Sequence, residues 1–479
     1  MKIAYLPLDS RPCNYDFPRQ LAAFAGCEVL RPAPDEMDHF KTCAPFGASR
    51  DFLFRAAGEA DALAVSVDHL CYGSLIASRM DGCDTETALS RLDVLREIKK
   101  AYPEKPVHLY NVIMRASVNT LSSADLAAYE AMTEYSVYSD KAERTGDPED
   151  RRRADEAEAR IPRAVLERYR TARERNHAVN LRSIDLVREG VADSLALLQE
   201  DSQIYGFHKR EQRILADRIR TAGIKNVRIH NGTDEGGAVC VMRAAVHPPE
   251  RVPVRVVFTP EGAPDFVALY EDRPFSENLE SWLDYAGFVR DGRAKDVLVI
   301  AVPPDGHQTD NGHDRAKAEL SSCAGTVRSL LDAGLNVYLL DIVTANGGSM
   351  TLGAMLAASG LMDRLCGYSA WNTACNSLGT ILAQMLSDCA AGKPDRDFLY
   401  ERIADDLLYQ SKLRAILRDF VKAAGDDPHS LGDADGAIRR LQELYASETA
   451  FSFLPEMDVT LPWNRVFEAK INCKKTDRR

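Results

Sequence analysis

Short apolar runs rich in β-branched residues end abruptly in polar side chains at six places along the chain. The six places are Ile3 to Leu8 before Asp9-Ser10-Arg11-Pro12, Ala62 to Val67 before Asp68, Val107 to Met114 before Arg115, Leu195 to Gln199 before Glu200-Asp201, Val227 to His230 before Asn231-Gly232-Thr233-Asp234-Glu235-Gly236-Gly237, and Val337 to Leu340 before Asp341. Parallel strands in α/β folds carry their binding and catalytic groups at their carboxyl ends. The pattern therefore predicts an enzyme site built by several strands.

The same pattern predicts strands that alternate with amphipathic helices. Thr85 to Ala101 and Arg210 to Ala222 have helical spacing of their apolar residues. The predicted strands lie near residues 3–8, 27–31, 62–67, 107–114, 195–199, 226–230, 254–258, 297–302 and 336–341. Such alternation indicates an α/β fold with parallel sheets and crossover helices.

We expect three regions in this α/β chain. Residues 1–245 are predicted to form a lobe like a (β/α) barrel, complete or partial, because five polar segments follow five different strands there. Its charged segment at about 123–190 is predicted to be a helical insertion, which either lies exposed to solvent or acts as a lid that closes on the substrate. Residues 250–390 are predicted to form a doubly wound parallel α/β lobe, and 391–479 a helical extension with a frayed tail. The alternative architecture is two doubly wound lobes.

Composition and charge narrow the classes of partner. The 479 residues carry 60 Lys and Arg against 72 Asp and Glu, a formal net charge of -12, and no long basic stretch. Nucleic acid is therefore not an expected partner. The amino-terminal segment has too few consecutive apolar residues for a signal peptide, and no apolar run elsewhere is long enough to span a membrane. The 11 cysteines are scattered singly, which favours reduced thiols and a cytoplasmic protein.

Two pairs of adjacent acids are the strongest catalytic candidates. They are Glu200-Asp201 and Asp234-Glu235, and each pair follows a predicted strand. Two close carboxylates push their pKa values apart, so that one holds a proton near neutral pH. One protonated and one charged carboxyl group are what glycosidic cleavage requires. The alternative role for an Asp-Glu pair at this position is a helix cap or first-turn acid.

Further polar side chains near the strand ends are candidates for substrate binding. Arginine matches carboxylates, phosphates or vicinal hydroxyls, although these arginines could instead pair with acids of the site itself. Asparagine side chains supply amide donors and acceptors for a substrate, or they stabilise turns. A tryptophan either offers a flat face on which a sugar ring stacks or belongs to the hydrophobic core. The candidates are Asp9, Arg11, Asp68, Arg79, Asn111, Asn119, Arg115, Asp341, Asn346, Trp371 and Asn372.

A divalent metal is a second possibility. Asp305, His307, Asp310 and His313 place carboxylate and imidazole ligands in one loop after a predicted strand. Their spacing matches no standard zinc motif, and an exposed polar loop is the alternative. We therefore predict no required cofactor and keep this loop as the candidate metal site.

The chain also resembles a bacterial family known as domain of unknown function 4127, over most of its length. The resemblance rests on Pro7-Leu8-Asp9-Ser10-Arg11-Pro12-Cys13-Asn14, Tyr72-Gly73-Ser74-Leu75-Ile76-Ala77-Ser78-Arg79, Asn111-Val112-Ile113-Met114-Arg115, Gln199-Glu200-Asp201-Ser202, Gly232-Thr233-Asp234-Glu235, Ala345-Asn346-Gly347-Gly348 and Tyr368-Ser369-Ala370-Trp371-Asn372-Thr373. It implies family membership and no reaction.

A local resemblance suggests a reaction. His230-Asn231-Gly232-Thr233-Asp234-Glu235 is similar to the His-x-Gly-Gly-Asp-Glu segment of family 20 β-hexosaminidases. That resemblance implies Glu235 as general acid and Asp234 as the carboxylate that orients an acetamido group of the substrate. The sequence thus favours a glycoside hydrolase acting on a small sugar, and the resemblance implies an N-acetylated one. The alternatives are a metal-assisted hydrolase or isomerase of a small polar metabolite and a non-catalytic small-molecule binding protein.

Overall fold

The structure, a computed structural model, describes residues 1–80, 82–118, 123–246 and 251–474. The chain divides into two units, the first comprising residues 1–247 with 270–273 and the second 248–269 with 274–479. Among the described residues no helix has the length and apolar character needed to cross a bilayer. Asn119 lies outside the described residues.

The first unit contains a parallel sheet of six strands. Its spatial order is β2-β1-β3-β4-β5-β6. Strands β3 and β5 are buried along their whole length, which explains their continuous apolar sequence. The strands are β1 Lys2–Leu6, β2 Glu28–Leu30, β3 Ala62–Ser66, β4 Val107–Ile113, β5 Ser194–Gln199 and β6 Val227–Asn231.

Helices cover both faces of this sheet. Alternate strand residues such as Ala4, Leu63 and Leu109 pack into one hydrophobic cluster with the helices of one face. The α12 helix lies on the opposite face, against Tyr5 and Leu198. The helices of this unit are α1 Pro12–Tyr15, α2 Phe17–Phe24, α3 Phe46–Glu59, α4 Val67–Tyr72, α5 Leu75–Ser78, α6 Thr85–Arg91, α7 Asp93–Ala101, α8 Ser123–Thr145, α9 Pro148–Arg160, α10 Arg163–Arg188, α11 Phe207–Ala222 and α12 Gly236–Val246.

The barrel-like arrangement predicted for this lobe is not what the described strands form. Strands β2 and β6 lie at opposite edges of an open sheet and do not pair with each other. Strand β1 lies between β2 and β3, so the chain leaves β1 toward one edge and returns on its other side. The alternative architecture, a doubly wound sheet, fits this topology. Its switch point between β1 and β3 is where such folds bind ligands.

The predicted insertion at about 123–190 consists of helices α8, α9 and α10. Apolar side chains including Met132, Ala157 and Tyr169 form a separate small core between these helices. Helix α10 also packs against β4 and β5, so it is part of the layer that covers the sheet.

The second unit contains a parallel five-stranded sheet in the order β13-β11-β9-β7-β8. Its strands are β7 Val252–Thr259, β8 Phe288–Arg290, β9 Asp296–Ala301, β11 Asn336–Asp341 and β13 Gly367–Ser369, with short strands β10 Thr309–Asp310 and β12 Thr344–Ala345 paired beside it. Its helices are α13 Phe275–Ala286, α14 Lys317–Asp332, α15 Met350–Ala358, α16 Ala374–Ala391, α17 Arg396–Arg402, α18 Arg414–Ala423 and α19 Ala434–Ser447, with a π-helix at Ile403–Leu413.

The region predicted as a helical extension belongs to the core of this second unit. Leu399, Leu407 and Leu441 share one hydrophobic cluster with Val297 and Leu339 of the sheet. The region also contains an antiparallel pair, β14 Met457–Thr460 and β15 Lys470–Cys473, which the helical prediction missed.

Candidate functional site

Arg11 joins two of the predicted site carboxylates. It follows β1, and its Nε lies 3.1 Å from Asp9 Oδ1 and 3.0 Å from Asp9 Oδ2. Its Nη1 and Nη2 donate to the two carboxylate oxygens of Asp234, at 3.1 and 2.5 Å. Asn14 Nδ2 also donates to Asp9 Oδ1, at 2.9 Å. The ends of β1 and β6 are thereby connected through a buried ion-pair network.

A second network connects the residues that follow β4 and β5. Glu200 forms an ion pair with Arg79, and the Arg115 backbone N–H donates to Glu200 Oε2 at 3.3 Å. The Arg115 guanidinium forms an ion pair with Asp201. All four side chains were predicted from the sequence to contribute to the site.

The two networks lie close enough for their charges to interact. Burial lowers the pKa of Arg79 well below its usual value, and the positive charges of Arg115 and Arg11 lower it further. Asp234 and Asp9 oppose that shift. The structure therefore brings residues from β1, β4, β5 and β6, together with Arg79, into one electrostatic cluster at the carboxyl edge of the sheet.

Two glycines bring the Asp234-Glu235 pair to this edge. The residues lie just before α12, and Gly236 and Gly237 are the first two residues of that helix. A Cβ at Gly236 would lie 2.2 Å from Leu198 Cδ1, and one at Gly237 would lie 2.2 Å from Tyr5 Oη. The absence of side chains thus lets the helix start directly against the strands.

Gly237→Ala is expected to destabilise the protein by about 1–3 kcal/mol, because the new methyl group must displace the Tyr5 hydroxyl in a packed core. Urea unfolding measures the loss. Gly47→Ala is the matched control, since Gly47 lies in α3, where an added methyl group would have no atom within 4 Å, and it should be neutral or stabilising. Equal effects of the two substitutions would contradict the packing argument.

Glu235 carries the features of a protonated acid. Only 1% of the residue is exposed, and its Oε2 accepts the Thr233 backbone N–H at 2.9 Å. Burial raises the pKa of Glu235 well above its usual value, and the negative charges of Asp234 and Glu271 raise it further. Asp234, tied to Arg11, is the charged member of the pair. The two adjacent acids therefore occupy different environments.

Two more carboxyl groups at this edge hold protons near neutral pH. Burial raises the pKa of Asp68, at the start of α4, to about 7, although Val112 N–H donates to its Oδ2 at 2.7 Å. Burial, followed by the charge of Asp9, raises the pKa of Asp38 to about 8. Burial also lowers the pKa of His69 to about 4, so its imidazole is neutral.

The raised pKa of Asp68 predicts a dependence of stability on pH. The native carboxyl is protonated where the unfolded one is ionised, so its stabilising contribution is present at acidic pH and is lost as the pH rises toward about 7. Asp68→Asn keeps an acceptor for Val112 N–H and should flatten the fall in unfolding free energy by up to about 1 kcal/mol per pH unit. Urea unfolding at a series of pH values measures this slope. Asp51→Asn, at a side chain that is 71% exposed, should leave the slope unchanged.

Asn111 does not face the cluster. Its Nδ2 donates to Asn180 Oδ1 of α10 at 2.7 Å, and Asn180 Nδ2 donates to Val112 O at 3.1 Å. Helix α10 also holds the loop that carries Arg115, because Arg173 donates to the carbonyl of Arg115 at 2.8 Å. The predicted substrate contact at Asn111 is therefore corrected to a structural role, and the insertion supports the site loop.

The remaining predicted binding residues lie in the second unit. Asp341 Oδ2 accepts Ser349 N–H at 2.9 Å and Tyr368 O–H at 3.0 Å. Asn346 N donates to Asn372 O at 2.7 Å, and both asparagines have positive φ, of 62° and 56°. These contacts shape turns, which is the alternative role for such asparagines.

Trp371 does not offer a face for stacking. The residue is 8% exposed, and its Nε1 donates to Thr380 Oγ1 at 3.1 Å. The predicted sugar platform is corrected to a core residue with its N–H satisfied, as buried tryptophans usually are.

Two carboxylates of the candidate metal loop accept hydrogen bonds from protein side chains. Asp305 receives two hydrogen bonds from Arg315, at 2.8 and 2.9 Å, and Asp310 Oδ1 accepts from Asn346 Nδ2 at 2.8 Å. Across the described ranges, no three His, Cys, Asp or Glu side chains are grouped as metal ligands would be, and this includes His307 and His313. The geometry gives this loop no ligand set.

Sequence reasoning missed Asn14, Asp38 and Glu271. Asn14 lies only three residues beyond Arg11, within the first family motif, but no pattern in the neighbouring residues indicates its role. Asp38 and Glu271 follow no long apolar run, so the strand-end pattern does not select them. An adjacent acid pair, Glu271-Asp272, was the available signal.

The comparisons with known proteins give a family and no function. No curated protein and no solved structure matches the chain. The resemblance to family 20 β-hexosaminidases therefore has no support from them. The family model described as "Protein of unknown function (DUF4127)" matches residues 3–472. Because that range is nearly the whole chain, the protein belongs to the DUF4127 family.

Proposed function

We propose that the first unit is a hydrolase for a small polyhydroxylated substrate, and most specifically a glycoside hydrolase with Glu235 as general acid. The observation that carries this proposal is the division of roles in the adjacent pair. Glu235 is buried with a raised pKa, while Asp234 is held as a carboxylate by two hydrogen bonds from Arg11.

In the proposed reaction the Glu235 carboxyl group gives its proton to the glycosidic oxygen as the bond from that oxygen to the anomeric carbon breaks. The positive charge that develops on the sugar ring is stabilised by the negative charge of Asp234. Water then adds to the anomeric carbon and releases a proton, which restores the acid form of Glu235. The sum is one water consumed and one glycosidic bond cleaved.

The position of the cluster supports this proposal. Doubly wound sheets bind ligands at the carboxyl ends of their strands near the switch point, which here lies between β1 and β3. Asp9 and Arg11 follow β1, and Asp68 follows β3. The metal-assisted alternative is not favoured, since the carboxylates of the candidate loop have protein partners.

A screen of the full-length protein against chromogenic glycosides, with and without a chelator, tests the proposal. We expect hydrolysis of at least one glycoside at a rate that the chelator does not change. Hydrolysis that the chelator abolishes would favour the metal-assisted alternative. Tight binding of a sugar without turnover would favour a non-catalytic binding protein.

A further inference from the structure

Three buried carboxyl groups of the first unit share an unusual hydrogen-bonding pattern. One oxygen of each accepts a backbone N–H: Asp38 from Ser10 at 2.7 Å, Asp68 from Val112 at 2.7 Å and Glu235 from Thr233 at 2.9 Å. The other oxygen of each is buried and has no hydrogen-bond partner within the described part of the chain. Buried polar atoms are rarely left in this state, and such atoms at a candidate site point to a ligand.

The guanidinium groups nearby are already matched with acids. Arg11 pairs with Asp9 and Asp234, and Arg79 and Arg115 pair with Glu200. Acidic groups therefore remain once these arginines are paired, because Asp38, Asp68 and Glu235 each keep one oxygen without a partner among the described residues. A ligand rich in donors, and not an anion, suits such a surface.

On the basis of the proposed function, we propose that the substrate of this site is an amino sugar with a free amine, whose ammonium and hydroxyl groups donate to the unpartnered oxygens of Asp38 and Asp68, while Glu235 keeps its proton for the glycosidic oxygen.

Two observations favour this ligand over its closest alternatives. Both oxygens of Asp234 already accept from Arg11, so an acetamido N–H would have to share an oxygen with this guanidinium, whereas Asp38 and Asp68 each keep one oxygen without a partner among the described residues. The acids are also not grouped around one point as metal ligands are, within the residues that the structure describes. An organic cation with several donors can contact carboxyl groups that do not converge on one point, whereas a metal ion needs its oxygen ligands within about 2.0–2.6 Å.

Binding of an ammonium group should release protons. Burial keeps the pKa of Asp68 at about 7 and that of Asp38 at about 8, so a cation beside them favours ionisation near neutral pH. An uncharged sugar would release few protons, and an anionic sugar would oppose their release.

Isothermal titration calorimetry of the full-length protein in two buffers of different ionisation enthalpy measures both affinity and proton release. The probes are glucosamine, galactosamine and mannosamine, each with its N-acetyl derivative, and glucuronate as an anionic sugar. We expect at least one free amine to bind about tenfold or more tightly than its N-acetyl derivative, with release of protons.

Asp68→Asn should weaken binding of that amine and reduce the proton release, because it removes one ionisable acceptor. The exposed Glu97 of α7 provides a matched control, and Glu97→Gln should change neither quantity. Circular dichroism checks that both variants fold. If Asp68→Asn does not fold, Asp38→Asn provides the same test at the second carboxyl group.

Tighter binding of an N-acetyl derivative or of glucuronate would overturn the proposal, and so would failure of every amine to bind. Proton release on amine binding without any glycoside hydrolysis would leave this inference standing and contradict the proposed function. Hydrolysis of neutral glycosides without binding of any amine would support the proposed function and contradict this inference. The two proposals therefore fail on different results.

Discussion

Glu235→Gln is expected to lower kcat/KM for the glycoside that the protein cleaves by about 10²–10⁴-fold, because glutamine fills the same volume but has no proton to give. The fold should be retained. Glutamine resembles the protonated carboxyl group that burial favours at this position, and it keeps an acceptor for the Thr233 N–H. The variant should therefore unfold at a urea concentration close to that of the wild type near pH 7.

The pH profile gives a second readout of the same substitution. In the wild type, kcat/KM should fall at alkaline pH as Glu235 loses its proton, since the raised pKa places that loss above the usual range of a glutamate. The residual activity of Glu235→Gln should lack this alkaline fall. Glu97→Gln serves as the control with full activity. Activity within tenfold of the wild type in Glu235→Gln would contradict the assigned role.

Arg11→Met is expected to destabilise the first unit by about 3–5 kcal/mol, the largest stability effect that we predict. Methionine keeps much of the apolar volume but leaves Asp9 and Asp234 without the cation between them. Breaking a buried ion pair by removing one partner costs this much because an uncompensated charge stays buried. Urea unfolding near neutral pH measures the loss.

Arg50→Met provides the control, since this side chain is 49% exposed and its Nη1 lies 3.8 Å from Asp51 Oδ1. Exposed pairs contribute between about 0 and 1 kcal/mol. An equally small loss in Arg11→Met would mean that the network around Arg11 is not a buried ion-pair system.

The sequence predicted the longer strands well because burial of a strand requires a continuous run of apolar residues. All nine predicted strands overlap observed ones, since the interiors of both parallel sheets require continuous apolar runs. The prediction failed for β8 and β13, which have three residues each and provide no periodicity to detect. Strands β14 and β15 lie in the region that was predicted to be helical because most of its sequence has a charged, helix-like pattern.

The closure of the sheet could not be predicted from the same pattern. A barrel and an open doubly wound sheet both place polar residues after successive parallel strands. The difference between them is whether β2 pairs with β6, and that contact depends on packing between elements far apart in sequence. In the structure these strands are the two edges.

The candidate site was predictable in its residues, and pairing of its arginines with its own acids was one of the two roles that the sequence left open. The strand-end rule selected Asp9, Glu200 and Asp234, and the structure joins these acids in ion pairs with Arg11 and Arg79. It could not distinguish Asn111, whose side chain at a strand end faces a helix. The direction of a side chain follows from the register of the strand, which the sequence alone does not determine.

The protonation state of Glu235 near pH 7 tests the central claim most directly. ¹³C NMR of labelled glutamate carboxyl groups, with Glu235→Gln to assign the signal, measures it. The structure predicts that this carboxyl signal titrates well above the ordinary range of a glutamate. A signal that titrates near pH 4.5, the ordinary pKa of a glutamate, would contradict the account.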